Sequence, residues 1–330
     1  MSPPPKRETR SDVSAVVPAR NAASTIEGCL AALAEQTVRP GEVIVVDDGS
    51  VDETADLARR MGAKVLTQDH AGAGAARNLG AKIAQGDLLL FTDADCVPAA
   101  DWVERLVAAL ADEGVVAARG VCKSNQLEAV ARFAQLEYDE KHRQLAGRRY
   151  VDLVSTDSAV YRRDVFCGFG GFDEAFVASE DQDLSFRIAR NGLKIVFAPD
   201  AVVTHHHRPT LRGYALRKFW IGYAKARIGR RHPEKLIHDA YTPQNLKVQV
   251  ACAALVLLGL GLTPIRKDGL TLARAGALGF GASAVPLVSF GLSRDPRLVP
   301  WLPGLLALRA LALGTGLATG TLAEIRQRGR

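Results

Sequence analysis

The stretch from residue 88 to residue 95 constrains the fold more than any other part of the sequence. Four consecutive apolar residues, Leu88–Phe91, run directly into two carboxylates at Asp93 and Asp95. An unbroken apolar run of this length is typical of a strand buried on both faces of a parallel sheet. In open α/β sheets, ligands bind beyond the carboxyl ends of the strands. The pair therefore lies at a predicted ligand site, and such hard oxygen ligands suit Mg²⁺ or Mn²⁺ that arrives with substrate phosphates.

Strand and helix patterns alternate through the region that precedes this stretch. β-branched or apolar runs predict strands over residues 13–17, 42–46 and 63–67, and sequences with helical apolar spacing lie between them. Such alternation predicts βαβ units with right-handed crossovers. We therefore expect an α/β domain with a Rossmann-like, mostly parallel sheet.

The average composition hides a division of the chain into two parts. The hydrophobic content is 48% and the mean hydropathy is +0.02, but residues 248–265 and 275–292 carry no charge, and residues 298–322 carry only Arg309. Because about 20 apolar residues span a bilayer, we predict a membrane domain over residues 248–323 with two to three hydrophobic helices. A soluble helical bundle is disfavoured, since these segments lack a polar face. Pro286 makes the second segment the candidate for a re-entrant or interfacial piece.

A basic, aromatic-rich linker joins the two parts over residues 208–247. Eight Lys or Arg residues lie between Arg208 and Arg231, no acidic residue occurs from 201 to 233, and aromatic residues are interleaved. This pattern predicts an amphipathic interfacial helix that lies on anionic membrane lipids. Nucleic acid is the competing partner, and we do not expect it because apolar segments follow. Positive charge before the first apolar segment predicts a cytoplasmic catalytic domain at the cell (inner) membrane.

The first residues and the cysteines indicate in which cellular compartment the chain folds. Residues 1–10 are Pro-rich and charged, which predicts a disordered leader and no signal peptide. The five cysteines are scattered, with no C-x-x-C pair. No disulfide framework or zinc site follows from this spacing, and a reducing compartment is expected.

Further sequence blocks follow the predicted strands in a fixed order. They are Pro18–Asn21 after the first strand, Asp47–Ser50 after the second, Gly72–Asn78, Asp93–Asp95, Gly170–Glu174, Glu180–Asp181, and a histidine after the last strand. The order resembles that of the inverting family 2 glycosyltransferases of the GT-A fold, over roughly residues 11–210. A dinucleotide-binding reading of Gly72 and Gly74 fails, because position 77 is Arg where Gly is needed. The resemblance implies a GT-A catalytic domain over residues 11–207.

The resemblance implies a role for each matched residue. Asp48 would accept hydrogen bonds from the base of a nucleotide-sugar donor. The other residues of the donor site would be Pro18, Arg20, Asn21, Arg77, Asp93 and Ala94, with Asp93 directed toward the ribose. Asp95 would bind a divalent cation, Mn²⁺ or Mg²⁺, and His205 would complete its ligand shell. Asp181 would be the general base, and its position among acidic residues at a helix start favours this, because neighbouring carboxylates raise a pKa while the helix N-terminus lowers it.

These expectations together predict a metal-dependent, hexosyltransferase-type enzyme. It would move a sugar from a nucleotide-sugar donor, expected to be UDP-linked, to a lipid-linked or cell-envelope acceptor by single displacement. The sequence lacks the Q-x-x-R-W motif of the processive synthases of the family, so polymer extrusion is not expected. Two alternatives stay open: a polyprenyl-phosphate glycosyl synthase, and a catalytically inactive binding or scaffold protein with the same fold.

Overall fold

The structure is a computed structural model that describes residues 8–235 and 242–328. Contacts divide the described chain into two compact units. The first unit holds residues up to 125 and residues 145–206, and the second holds residues 126–144 and those from 207 onward. Each unit is described by itself below.

The first unit is built on a sheet of eight strands, which confirms the predicted α/β fold. The strands are β1 (Glu8–Ala19), β2 (Val38–Asp48), β3 (Lys64–Gln68), β4 (Leu88–Phe91), β5 (Cys96–Pro98), β6 (Val115–Lys123), β7 (Ala159–Arg162) and β8 (Lys194–His205). Its helices are α1 (Ile26–Ala34), α2 (Thr54–Arg60), α3 (Ala73–Ile83), α4 (Trp102–Ala108), α6 (Arg163–Gly168) and α7 (Glu180–Arg190), while α5 (Ala129–Leu145) belongs mainly to the second unit.

The sheet order brings the predicted site residues to one edge. The order is β3-β2-β1-β4-β7-β6-β8-β5, with parallel pairing between β3 and β2, β2 and β1, β1 and β4, and β6 and β8. Strand β7 runs antiparallel to both β4 and β6, and β5 runs antiparallel to β8. The carboxyl ends of β1, β2, β3, β4 and β8 therefore lie at the same edge, which is where open α/β sheets bind ligands.

Packing on α3 explains two of the sequence blocks. A Cβ atom at Gly80 would lie 2.4 Å from the Cγ1 atom of Val16, so the glycine lets α3 approach the sheet closely. Farther toward the helix start, the Asn78 side chain donates to the Phe172 carbonyl (2.8 Å) and accepts from the Phe172 N–H (2.9 Å). Gly171 has φ +65°, a left-handed conformation that glycine adopts without strain. The 72–78 and 170–174 blocks are thus two sides of one contact.

The second unit is helical, with α5, α8 (Leu211–Arg231), α9 (Gln244–Leu262), α10 (Gly269–Arg294) and α11 (Leu302–Arg328). Three segments are long and apolar enough to cross a membrane: Gln244–Leu262, Gly269–Arg294 and Pro296–Arg326. Pro286 lies inside α10, which continues as a helix on both sides of it. Phe133 and Tyr214 pack with Leu287 and other apolar residues in the core of this unit.

Several predicted boundaries differ from the structure. Glu8, Thr9 and Arg10 pair with residues 38–40 within β1, so the sheet begins inside the segment predicted as a leader, and residues 1–7 lie outside the described residues. The β pattern over 151–161 yields only β7 and an isolated bridge between Val151 and Ile195. The predicted linker contains α8, and its residues 236–241 lie outside the described part of the chain.

Candidate functional site

Arg77 joins two acidic segments at the carboxyl edge of the sheet. It lies in the second turn of α3 and is 3% exposed. One Nη atom lies 2.6 Å from Oδ1 of Asp93, and the other lies 2.7 Å from Oε1 of Glu180. Burial lowers the pKa of Arg77, but the two carboxylates outweigh burial and raise it. The side chain predicted to belong to the donor site therefore holds two protein carboxylates, one from the Asp93–Asp95 loop and one from α7.

Asp181 is the second residue of α7, and the turn before it is unusual. Ser179 has φ +65°, a left-handed conformation that is uncommon for residues other than glycine. Burial of the Asp181 carboxyl group and repulsion by Glu180 raise its pKa to about 7, while Arg77 acts in the opposite direction. A carboxyl group with this pKa changes protonation state near neutral pH, which is the range in which general acid–base catalysis is most effective.

Asp93, Ala94 and Asp95 follow β4, and His205 ends β8 beside them. Cys96 pairs with His205 in the sheet, which sets Nε2 of His205 3.3 Å from Oδ1 of Asp95. Ala94 is buried between the two carboxylates at 5% exposure, whereas the Asp95 side chain is 43% exposed. Ligand atoms of Asp95, Cys96 and His205 all lie within 4.8 Å of one another. The Asp95 carboxylate and the His205 imidazole fit a divalent cation, whereas burial and the neighbouring carboxylates raise the pKa of the Cys96 thiol and so disfavour the thiolate that would bind a metal.

Asp48 ends β2 in a pocket of hydrogen-bond donors. Its carboxylate accepts from the Gln68 side chain (2.7 Å), His70 Nδ1 (2.8 Å), and the Ala71 (2.8 Å) and Gly72 (3.0 Å) N–H groups. Burial raises the pKa of Asp48, but these hydrogen bonds outweigh burial and lower it. An ionised carboxylate has about four lone-pair positions. The protein itself supplies donors for all of them in this conformation.

The residues predicted to flank this pocket take different positions. Arg20 is exposed, and its Nη1 atom lies 2.9 Å from Nε2 of His70. Since Arg20 can only donate, His70 accepts at Nε2 and carries its proton at Nδ1, which donates to Asp48. Asn21 has φ +50° and bonds the next loop, donating its N–H to Ser50 Oγ (2.9 Å). Pro18 is buried within β1.

The comparisons with known proteins agree with this geometry. The model of Glycosyl transferase family 2 matches residues 14–169. Glycosyltransferase AglE of Haloferax volcanii is 30% identical over 228 residues, which are 66% of this chain and 73% of that protein. The chain belongs to glycosyltransferase family 2.

Two further similarities concern a longer relative and a solved structure. Pre-mycofactocin glycosyltransferase of Mycobacterium tuberculosis is 33% identical over 242 residues, 70% of this chain and 50% of that protein. The chain thus spans about half the length of this curated relative. The structure of mannosyltransferase PcManGT from Pyrobaculum calidifontis, in complex with GDP-Man and Mn²⁺, aligns with a TM-score of 0.58. The two sequences are 22% identical, and the match covers 93% of this chain and 87% of the mannosyltransferase, so the two proteins share a fold.

Three contacts of this candidate site do not follow from the sequence patterns. His70 lies two residues after the end of β3, so it follows a strand at the edge of the sheet where ligands bind. Cys96 directly follows the two aspartates, but the scattered cysteines predict no zinc site, and only the fold brings its Sγ atom within 4.8 Å of ligand atoms of Asp95 and His205. Glu180 was recognised as acidic, but no local pattern could pair it with Arg77, which is 103 residues away.

Proposed function

We propose that this chain is a membrane-associated, inverting glycosyltransferase. It moves a hexose from a nucleotide-sugar donor, UDP-linked, to a lipid-linked or cell-envelope acceptor by single displacement. The observation that carries the proposal is the placement of Asp181, with a pKa of about 7, next to the Glu180–Arg77–Asp93 chain of contacts. A base suited to neutral pH is thereby tied to a loop of carboxylates that suits a divalent cation, and such a cation would bind the donor's diphosphate.

Asp181 acts as the base of the displacement. The carboxylate takes the proton from the acceptor hydroxyl as that oxygen forms a bond to the anomeric carbon. The bond between this carbon and the diphosphate oxygen breaks, and the nucleoside diphosphate leaves with the electron pair. Attack from the face opposite the leaving group inverts the anomeric configuration. General-base assistance of this kind is worth about 10²–10⁴ in rate.

Asp95 and His205 would hold a divalent cation, Mn²⁺ or Mg²⁺. The cation supplies charge neutralisation for the departing diphosphate. The geometry supports this assignment, because Nε2 of His205 lies 3.3 Å from Oδ1 of Asp95. Cys96 lies behind the pair, with Sγ 3.9 Å from Oδ1 of Asp95. Mn²⁺ in the complex of mannosyltransferase PcManGT, which shares the fold, supports the same choice.

Asp48 is proposed to recognise the donor base. Its lone pairs are taken by protein donors, so a base can hydrogen-bond to it only after one of them leaves. His70 is the donor that leaves most easily, because its side chain is 52% exposed and the Ala71 and Gly72 donors belong to the backbone. Arg20 moves with it, since it contacts His70.

Membrane association follows from the second unit. Its three apolar segments supply bilayer contact, and the seven Lys and Arg residues within α8 suit anionic lipids. We infer that the protein works at the cytoplasmic face of the cell membrane, without nucleic acid as a partner. The similarity to O-antigen chain rhamnosyltransferase RfbN of Salmonella typhimurium supports a glycan or envelope acceptor.

Nucleotide release by the detergent-purified protein tests the proposal. We expect slow hydrolysis of one donor from a panel of UDP-, GDP- and dTDP-sugars, dependent on Mn²⁺ or Mg²⁺ and abolished by Asp95→Ala. Glu174→Gln, a change at an exposed acid, is the matched control and should retain activity. If no donor of the panel were hydrolysed and no combination of nucleotide and metal raised the melting temperature, the result would favour the inactive scaffold protein.

The Asp181→Asn variant separates hydroxyl from phosphate acceptors. With a hydroxyl acceptor, turnover should fall by about 10²–10⁴. A polyprenyl-phosphate acceptor is already ionised and needs no base, so the variant would then retain substantial transfer. Turnover of Asp181→Asn on membrane lipid extracts, compared with Glu174→Gln, therefore decides between the two activities.

A further inference from the structure

Helices α8 and α11 pack with their backbones in direct contact. Three glycines make this possible: Gly222 on α8, and Gly316 and Gly320 on α11. A Cβ atom added at these positions would lie 2.2, 2.0 and 2.3 Å from the backbone oxygens of Leu313, Phe219 and Tyr223, respectively. The G-x-x-x-G pair at 316 and 320 is therefore a helix-packing face, and its partner is the basic helix.

Ion pairs at both ends of this contact show that the two helices run in the same direction. Near the start of α8, Lys218 lies 2.8 Å from Glu137 of α5, and Arg309 of α11 lies 3.1 Å from the same carboxylate. Near the end of α8, Arg227 and Arg230 each lie 2.8 Å from Glu324 of α11. The paired part of α11, residues 309–324, is about 22 Å long at 1.5 Å per residue.

Helix α8 is too highly charged to cross a bilayer. It carries seven Lys or Arg residues in 21, and charged side chains at membrane depth are expensive. Leu216 and Trp220 are 45% and 44% exposed, which suits a helix lying in the interface with its apolar side chains toward lipid. Because α11 runs parallel to α8 and touches its backbone, residues 309–324 lie at the same interfacial depth.

Helices α9 and α10 form an antiparallel pair by themselves. A Cβ at Gly259 would lie 2.4 Å from the backbone of Ala273, and Gln249 bonds the Ser283 carbonyl at 3.2 Å. Helix α11 meets this pair near the start of α9, where Arg309 bonds Gln249 and Gly314 faces Val250. Helix α11 thus contacts the hairpin at the end where α9 begins, which is opposite the loop between α9 and α10.

We propose that α9 and α10 form the membrane-inserted hairpin and that α11 returns along α8 within the interface. The inference rests on the membrane association proposed above. An even number of crossings leaves Arg326 and Arg328 on the side of α8 and its basic residues, in accord with the positive-inside rule, whereas three crossings would place them on the opposite side. Apolarity alone would predict that α11 is a third membrane-spanning helix. Its packing along the basic helix α8 instead places it at the membrane surface.

Protease protection of tagged full-length protein tests the number of crossings. One tag precedes Met1 and another follows Arg330, and the protein is expressed in a bacterial inner membrane. We expect both tags to be digested in inverted vesicles and both to be protected in spheroplasts. Digestion of the two tags from opposite sides would overturn the inference while leaving membrane association intact. Release of the protein by alkaline carbonate would instead overturn membrane association itself.

Cross-linking tests the α8–α11 contact directly. In a Cys167→Ser, Cys252→Ser background, Arg227→Cys and Glu324→Cys should be joined by a short bismaleimide in native membranes, because these side chains touch. The remaining cysteines are buried. Ile325→Cys in place of Glu324→Cys is the control, since Ile325 is 61% exposed and faces away from α8. Absence of the 227–324 cross-link, or equal cross-linking of the control, would contradict the pairing.

Discussion

Replacing Glu180 by Gln should move the pH dependence of catalysis in a direction fixed by the site. The Asp181 pKa is raised to about 7 by burial first and by Glu180 second, while Arg77 lowers it. Glutamine removes the repelling charge and keeps an oxygen that can accept the 2.7 Å hydrogen bond from Arg77. The Asp181 pKa should therefore fall in the variant. A base works when it is deprotonated, so activity should persist to lower pH than in the parent protein.

The causes of the raised Asp181 pKa set the size of the expected shift in the pH profile. A pKa of about 7 in place of 3.8 makes ionisation of Asp181 about 4 kcal/mol less favourable than in water, at 1.36 kcal/mol per pKa unit. Burial stays in the variant, so only part of this is recovered. A neighbouring charge at close range typically moves a carboxyl pKa by about 1–3 units. With partial exposure of Asp181 to water, we expect the acid limb to move down by roughly 1–2 pH units.

The assay is kcat/KM for donor and acceptor, measured from about pH 5 to about pH 9, because this parameter reports pKa values of the free enzyme. Glu174→Gln is the control, since it removes an acid that bonds Asn78 and is absent from the groups acting on Asp181. An acid limb that stays in place in Glu180→Gln, or moves to higher pH, would refute the assignment of Asp181 as the base in this environment.

Two further substitutions probe the donor pocket and the sheet. His70→Ala frees one lone pair of Asp48, so the donor nucleotide should bind about 2–10-fold more tightly by calorimetry, the worth of one hydrogen bond; weaker binding would mean that His70 itself contacts the donor. Gly80→Val should lower the free energy of unfolding in urea by about 1–3 kcal/mol, because its Cβ would lie 2.4 Å from Val16. Gly168→Ala, at a position with nothing within 4 Å, should change it little.

The parts of the fold that depend on local pattern were predictable from the sequence. The apolar run Leu88–Phe91 is β4 with no change of boundary, and the acidic cluster at 180–183 does begin a helix. Strand β7 was less visible, because residues 151–158 share its β-branched composition but do not join the ladder. The run around Val151 is buried and makes one bridge, to Ile195, but no ladder. Composition alone does not distinguish such a buried segment from a strand.

Residues of the site that follow strand ends were predictable from the sequence. Contacts between segments far apart in the chain were not. The position of Asp95 after a strand predicted a ligand site, whereas Asp48 and His205 were assigned through the family resemblance. The sheet order places all three at one edge. Which donors surround Asp48, and which carboxylates Arg77 contacts, depends on how loops from different βα units fold together. No sequence period carries that information. The same is true of α11, whose apolarity predicted a third span and whose partner is α8.

Arg77 shows why this difference matters for function. Its two Nη atoms hold Asp93, from the Asp93–Asp95 loop, and Glu180, the neighbour of the proposed base. A planar guanidinium can reach both carboxylates at once, whereas a lysine ammonium is a single point charge. Arg77→Lys should therefore keep the charge but lose the spacing between the two segments, so that kcat falls strongly while thermal stability falls less than in Arg77→Met. If Arg77→Lys retained the parent kcat, the charge of Arg77 would matter and its bridging geometry would not.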